Sequence, residues 1–149
     1  MEHLRRELAK HSILALDSSI FIYHFEANAT YLPMTEVVLS LIADGICQAV
    51  ISTVTLMELT VRPWRQNRGD VARQYELLLA NFPNLTITDV SRDVARRAAQ
   101  LRALYNIRPA DALLVATGLS RGATAWISND KQLRRLASEI ELFVLDEWL

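Results

Sequence analysis

Residues 12–25 read SILALDSSIFIYHF. The first five form a short apolar run that ends at Asp17, and Ser18 and Ser19 follow as residues able to cap a helix over IFIYHF. A strand that runs through a carboxylate into a helix is half of an α/β unit, and the rest of the chain repeats the arrangement. Pro33 opens a second helix over MTEVVLSLIA, which Gly45 closes. Ala49–Ser52 (AVIS) reads as a strand, and Thr53 or Thr55 starts a helix that carries Glu58. Residues 68–81 read as helix, Leu85–Val90 as strand and Arg92–Tyr105 as an amphipathic helix. Pro109 opens ADALLVATGLSRG, ended by Gly122. Thr124–Ser128 (TAWIS), a short helix over Lys131–Ser138 and a last strand at Leu142–Leu145 complete the pattern. Strands separated by helices predict one α/β domain with a mostly parallel sheet and helices on both faces. In such sheets ligands bind beyond the carboxyl ends of the strands.

Bulk properties agree with a single globular domain. The chain has 149 residues, 51% hydrophobic and 22% charged, with no repeat or low-complexity tract. No apolar run approaches the ~20 residues of a membrane helix. The charged opening, Met1–Lys10, lacks the apolar heart of a signal peptide, which predicts a cytoplasmic protein. A single cysteine, Cys47, excludes an internal disulfide and a thiol-rich zinc site, and its apolar surroundings read as core. The net charge of −1 argues against a protein that coats nucleic acid. Lys10 and Lys131 are the only lysines; the other basic residues are arginines, whose planar fork suits phosphate.

Four carboxylates fall where the sheet rule places a site. Asp17 follows the first strand, Glu58 sits on the helix after AVIS, and Asp130 lies two residues beyond TAWIS. Asp111 occupies the first turn of an otherwise apolar helix. Each has a bland alternative. Asp17 and Asp130 can cap helices, Glu58 with Thr55 fits a capping box, and Asp111 suits a helix dipole. Together they point elsewhere, because carboxylates converging on one apolar edge repel each other unless paired, protonated or bound to a cation. His3, His11 and His24 have no metal-ligand spacing, although His24 lies two helical turns after Asp17. An all-oxygen donor set suits Mg²⁺ or Mn²⁺. With no Ser/His/Asp or Cys/His set, attack by metal-activated water on a phosphoester is the favoured chemistry.

The four segments ALDSSIFIYHF, STVTLMELT, IRPADALLVATGL and WISNDKQLRRL, in that order and spacing, resemble the PIN-domain nucleases. Within them the likeness is specifically to the VapC-type toxins of bacterial and archaeal toxin–antitoxin modules, and it covers nearly the whole chain. That resemblance implies a metal-dependent endoribonuclease with Asp17 and Asp111 as principal metal ligands and Glu58 and Asp130 completing the cluster, directly or through water. Ser18 and Ser128 match positions where the family places a hydroxyl that orients the site, and Asn129 precedes the last acid. Family members are commonly homodimers, neutralised by an antitoxin whose tail enters the active-site groove. Residues 1–11 extend beyond the usual family start.

Contact with an RNA backbone would fall to Arg62, Arg65 and Arg68 around Trp64, and to Arg134 with Arg135 after Asp130. A solvated helix face explains those arginines equally well, and core packing explains Trp126 better than base stacking. The stripe Arg92, Arg96, Arg97 and Arg102 reads as a solvated face. A haloacid-dehalogenase-like phosphatase would need an aspartate at position 19, which is Ser, and a response-regulator receiver would need paired acids before its first helix. The remaining rival is a PIN-like module that binds RNA or protein without cutting.

Overall fold

Strand β1 (Ile13–Leu16) lies at the centre of a five-stranded sheet, in a computed structural model that describes residues 1–149. Its neighbours are β2 (Gln48–Ser52) and β4 (Ala125–Ser128), with β3 (Leu85–Thr88) and β5 (Glu141–Val144) outside them, giving the order β3-β2-β1-β4-β5. Every pairing is parallel. The central strands earn that position by being apolar on both sides: β4 is buried at every residue and β1 at all but its first.

Side chains alternate between two cores. Leu14, Leu16, Ile51 and Ile127 face one way, against α2 (Ser18–Phe25) and α3 (Leu32–Ala43). Ala15 and Trp126 face the other way, against α6 (Arg92–Tyr105) and α7 (Pro109–Ser120). The helices α4 (Thr53–Arg65) and α5 (Gly69–Ala80) follow β2 and lead into β3. As the sequence predicts, this is an α/β domain with helices on both faces; the sheet is parallel throughout rather than mostly. No helix is long and apolar enough to cross a membrane.

The opening residues form an element the sequence reading left unassigned. Helix α1 (Glu2–Leu8) inserts Leu4 and Leu8 into the first core, and Arg5 donates to Ser40 Oγ on α3 at 2.7 Å. Cys47 is buried beside it, its thiol donating to the Leu8 carbonyl and pushed up in pKa by burial.

One contact positions the site. Gly118 packs α7 so closely on β1 that an added Cβ would lie 2.5 Å from Ala15 Cβ. This approach draws the helix bearing Asp111 onto the strand that delivers Asp17. At the end of α6, Asn106 takes a left-handed conformation (φ 51°), a role its short polar side chain tolerates, and the chain turns back to start α7.

Candidate active site

The strand order reverses between β1 and β4, and the segments leaving their carboxyl ends carry Asp17 and Asp130. Asp17 occupies the N-cap position of α2 in extended conformation, yet its side chain makes no capping bond. Its Oδ2 accepts instead from Ser128 Oγ at 2.8 Å and Ser19 Oγ at 3.2 Å. The Ser128 hydroxyl also accepts from the Asp130 backbone N–H at 3.1 Å, tying the two acid-bearing segments together. Ser18 and Ser19, expected as caps, are the first residues of α2. The Ser18 hydroxyl donates across the site to Glu58 Oε1 at 2.6 Å.

Glu58 takes no part in a capping box. Ser52 caps α4, accepting from Val54 N, while Thr55 Oγ1 accepts from the Ser52 N–H. Asp130 does cap: its Oδ1 accepts from Gln132 N at 2.9 Å at the start of the 3-10 turn Lys131–Leu136. Asp111, 7% exposed in the first turn of α7, accepts through Oδ2 from Arg108 Nε at 3.0 Å. Arg108 Nη2 reaches Asp130 Oδ2 at 3.5 Å, so one guanidinium spans two of the four acids.

Part of Asp17 still reaches solvent, but burial is the leading influence on its carboxyl and pushes the pKa up. The Ser128 hydrogen bond opposes that shift, and the charges of Asp111 and Glu58 push the same way as burial. Asp17 therefore lies within electrostatic reach of both Asp111 and Glu58. Asp17 Oδ1, Glu58 Oε2 and Asp111 Oδ1 accept no hydrogen bond, leaving one oxygen of each acid uncommitted. No three His, Cys, Asp or Glu side chains already stand close enough to grip an ion, so the acids form an open set rather than a closed cage. Three uncommitted carboxylate oxygens, two of them on acids whose charge bears on Asp17, fit a hard divalent cation in their chemistry.

Other expected residues fall outside this set. His24 Nδ1 pairs with Thr35 Oγ1 at 3.2 Å. Asn129 anchors the segment after β4, its Oδ1 accepting from Asp146 N at 2.9 Å and its Nδ2 donating to Tyr23 OH at 3.4 Å. Arg62 pairs with Glu26 at 3.0 Å, Arg68 with Asp70 through two bonds of 3.0 Å, and Arg134 with Glu147. Arg65 is exposed and forms no ion pair. Trp64 is exposed, whereas Trp126 is buried in the core, out of reach of a base. The arginine stripe on α6 is largely solvated, with Arg96 on Asp93 and Arg97 on Glu139. A cleft of about 620 Å³ opens beside Glu58, lined by Ile22, Phe25, Leu59, Arg62 and Tyr75 among others.

Sequence reasoning missed Arg108. The available signal was its spacing: it stands three residues before Asp111, at the N-cap of the same helix, where a side chain meets its i+3 neighbour.

The family model described as PIN domain matches residues 14–139. No curated protein matches the chain. Among solved structures, a chain of a toxin–antitoxin complex from Klebsiella pneumoniae is 22% identical with a TM-score of 0.66, covering 90% of this chain and 98% of that one. A chain of VapBC2 from Rickettsia felis, bound to a promoter DNA fragment, is 20% identical with a TM-score of 0.67, covering 88% and 97%. A chain of DNA-bound VapBC from Salmonella typhimurium is 19% identical with a TM-score of 0.62, covering 89% and 96%. At these identities the likeness is one of fold.

Proposed function

The chain belongs to the PIN-domain family, and on that premise we propose that it is a metal-dependent endoribonuclease, the VapC-type toxin of a toxin–antitoxin pair. The observation that carries this reading is the set of three carboxylates, Asp17, Glu58 and Asp111, each with one uncommitted oxygen, with Asp17 leaving β1 beside the point where the strand order reverses and feeling the charges of the other two. Asp17 and Asp111 would be the principal ligands for Mg²⁺ or Mn²⁺, with Glu58 completing the set. Asp130, whose two oxygens already accept from Gln132 N and Arg108, would complete the cluster through water. When bound, the ion lowers the pKa of a coordinated water and stabilises negative charge on the phosphoryl oxygens.

The chain's own groups do the rest. Ser128 and Ser19 fix one oxygen of Asp17 and keep the other turned free. Ser18 does the same for Glu58, whose remaining oxygen would take the proton of an attacking water. Exposed Trp64 and Arg65, at the end of the helix that carries Glu58, offer a stacking surface and a phosphate contact. Arg62, Arg68 and Arg134 contribute by exchanging a carboxylate partner for phosphate. The cleft beside Glu58 receives the antitoxin segment, and the chain acts as a homodimer.

The test is cleavage of a panel of structured and single-stranded RNAs with Mg²⁺, Mn²⁺ or EDTA, alongside Asp17→Asn. Metal-dependent cutting that the variant loses is the expected result. Wild-type protein that binds RNA but never cuts it would replace this reading with a binding module.

A further inference from the structure

Four carboxylates on one edge carry more negative charge than one divalent ion offsets, so a fixed positive group beside them would favour the approach of an RNA phosphate. Arg108 is the one arginine joined to the acids themselves. A guanidinium has five N–H donors; Arg108 commits Nε to Asp111 and one Nη2 hydrogen to Asp130, leaving three donors free. Its side chain is 75% exposed while that of Asp111 is 10% exposed, so the free side of the fork faces solvent directly over the buried acid. As an ion pair this exposed group adds little stability. Anchored by two carboxylates it is, however, pre-oriented, and a fork held in place loses little freedom on meeting phosphate.

We propose that Arg108 is the residue that receives the RNA backbone phosphate at the acidic edge, using its free guanidinium donors while Asp111 and Asp130 hold it in position. The proposal rests on the nuclease reading above and makes it more specific. Asp111 thereby has two duties, one oxygen orienting Arg108 and the other left for the metal. Asp130 serves as the second anchor of the arginine as well as the cap of the turn that follows.

Binding of a fluorescein-labelled oligouridine, measured across a salt series in EDTA, reads this without cleavage. Arg108→Ala should weaken binding about tenfold at low salt, the loss of a charge-assisted contact. The slope of log affinity against log salt should become shallower by about 0.7, the value of one single-strand phosphate. Arg108→Lys, which keeps the charge and the tie to Asp111 but loses the fork, should recover the slope and only part of the affinity. On any RNA the wild type cuts, Arg108→Ala should raise KM. An unchanged salt slope with unchanged affinity overturns the proposal, as does failure of the wild type to bind at all. If the wild type cuts with metal and Arg108→Ala cuts with the same KM, Arg108 is excluded and the nuclease stands. If the wild type binds without cutting and Arg108→Ala still lowers the slope, the phosphate contact stands and the nuclease falls.

Discussion

Replacing Gly118 with alanine tests whether the site depends on how closely α7 lies against β1. The new Cβ would sit 2.5 Å from Ala15 Cβ, a rigid methyl on the central strand. Methyl groups rest about 3.5–4.0 Å apart, so helix and strand must separate by ~1 Å. Overpacking of this kind costs about 1–3 kcal/mol, and so severe a clash belongs at the upper end. Alanine's better helix propensity returns about 1 kcal/mol. The net loss of about 2 kcal/mol lowers Tm by roughly 4–8 °C in a chain of this size. Asp111 rides on the same helix, and a displacement of ~1 Å can reduce turnover by about 10²-fold. Thermal melts of Gly118→Ala, Ala15→Gly and the double variant form a cycle. Moving the methyl from one side of the contact to the other should give the double variant a Tm above the additive sum, with a coupling of about 1–3 kcal/mol. If Gly118→Ala melts at or above the wild-type temperature and shows no coupling to position 15, the close contact is not what sets the distance between helix and strand.

Other consequences are as direct. Burial and the charges of Asp111 and Glu58 raise the Asp17 pKa, so its stabilising contribution is present below the unfolded value and lost as pH rises through the folded one. Asp17→Asn should therefore melt higher than wild type at neutral pH in EDTA, and the difference should shrink as the pH falls into the carboxylate range. Mg²⁺ or Mn²⁺ should raise the wild-type Tm more at neutral than at acidic pH, and leave Asp17→Asn unmoved. A wild-type melt indifferent to millimolar metal at neutral pH would refute the shared ion site. Leu8→Ala, at a fully buried position of α1, should cost about 2–5 kcal/mol by urea unfolding; a change within error would mean that α1 is not docked in solution.

The alternation of strands and helices was legible because each element obeys its own period and ends in a recognisable stop, such as Gly45 or Gly122, both at positive φ. Helix α1 was not, because its two core leucines stand four apart among charged residues and resemble a solvated tail. The acids could be read because three of them lie just after apolar strands. Their roles were harder. Around Glu58 two capping boxes overlap, Ser52 with Thr55 and Thr55 with Glu58, and only the helix start at Thr53 decides between them. Arg62, Arg68 and Arg134 look alike as cations until Glu26, Asp70 and Glu147 appear beside them. Arg108 owes half its placement to Asp130, 22 residues later, which reaches it because β4 lies beside β1.

That same pairing of β1 with β4 has a consequence for how the protein is made. Asp17 and Ser128 stand 111 positions apart, and the bond between them exists only once both strands are side by side. During translation the first acid emerges early and waits, with Ser19 but without Ser128 or Asp130, until β4 has left the ribosome. A nascent or prematurely terminated chain lacking β4 has no closed sheet centre and no assembled acidic edge. Long-range closure of this kind is slow in folding terms. Here it ties the appearance of the site to the arrival of β4, so a strand made late acts as the safety catch on one made early.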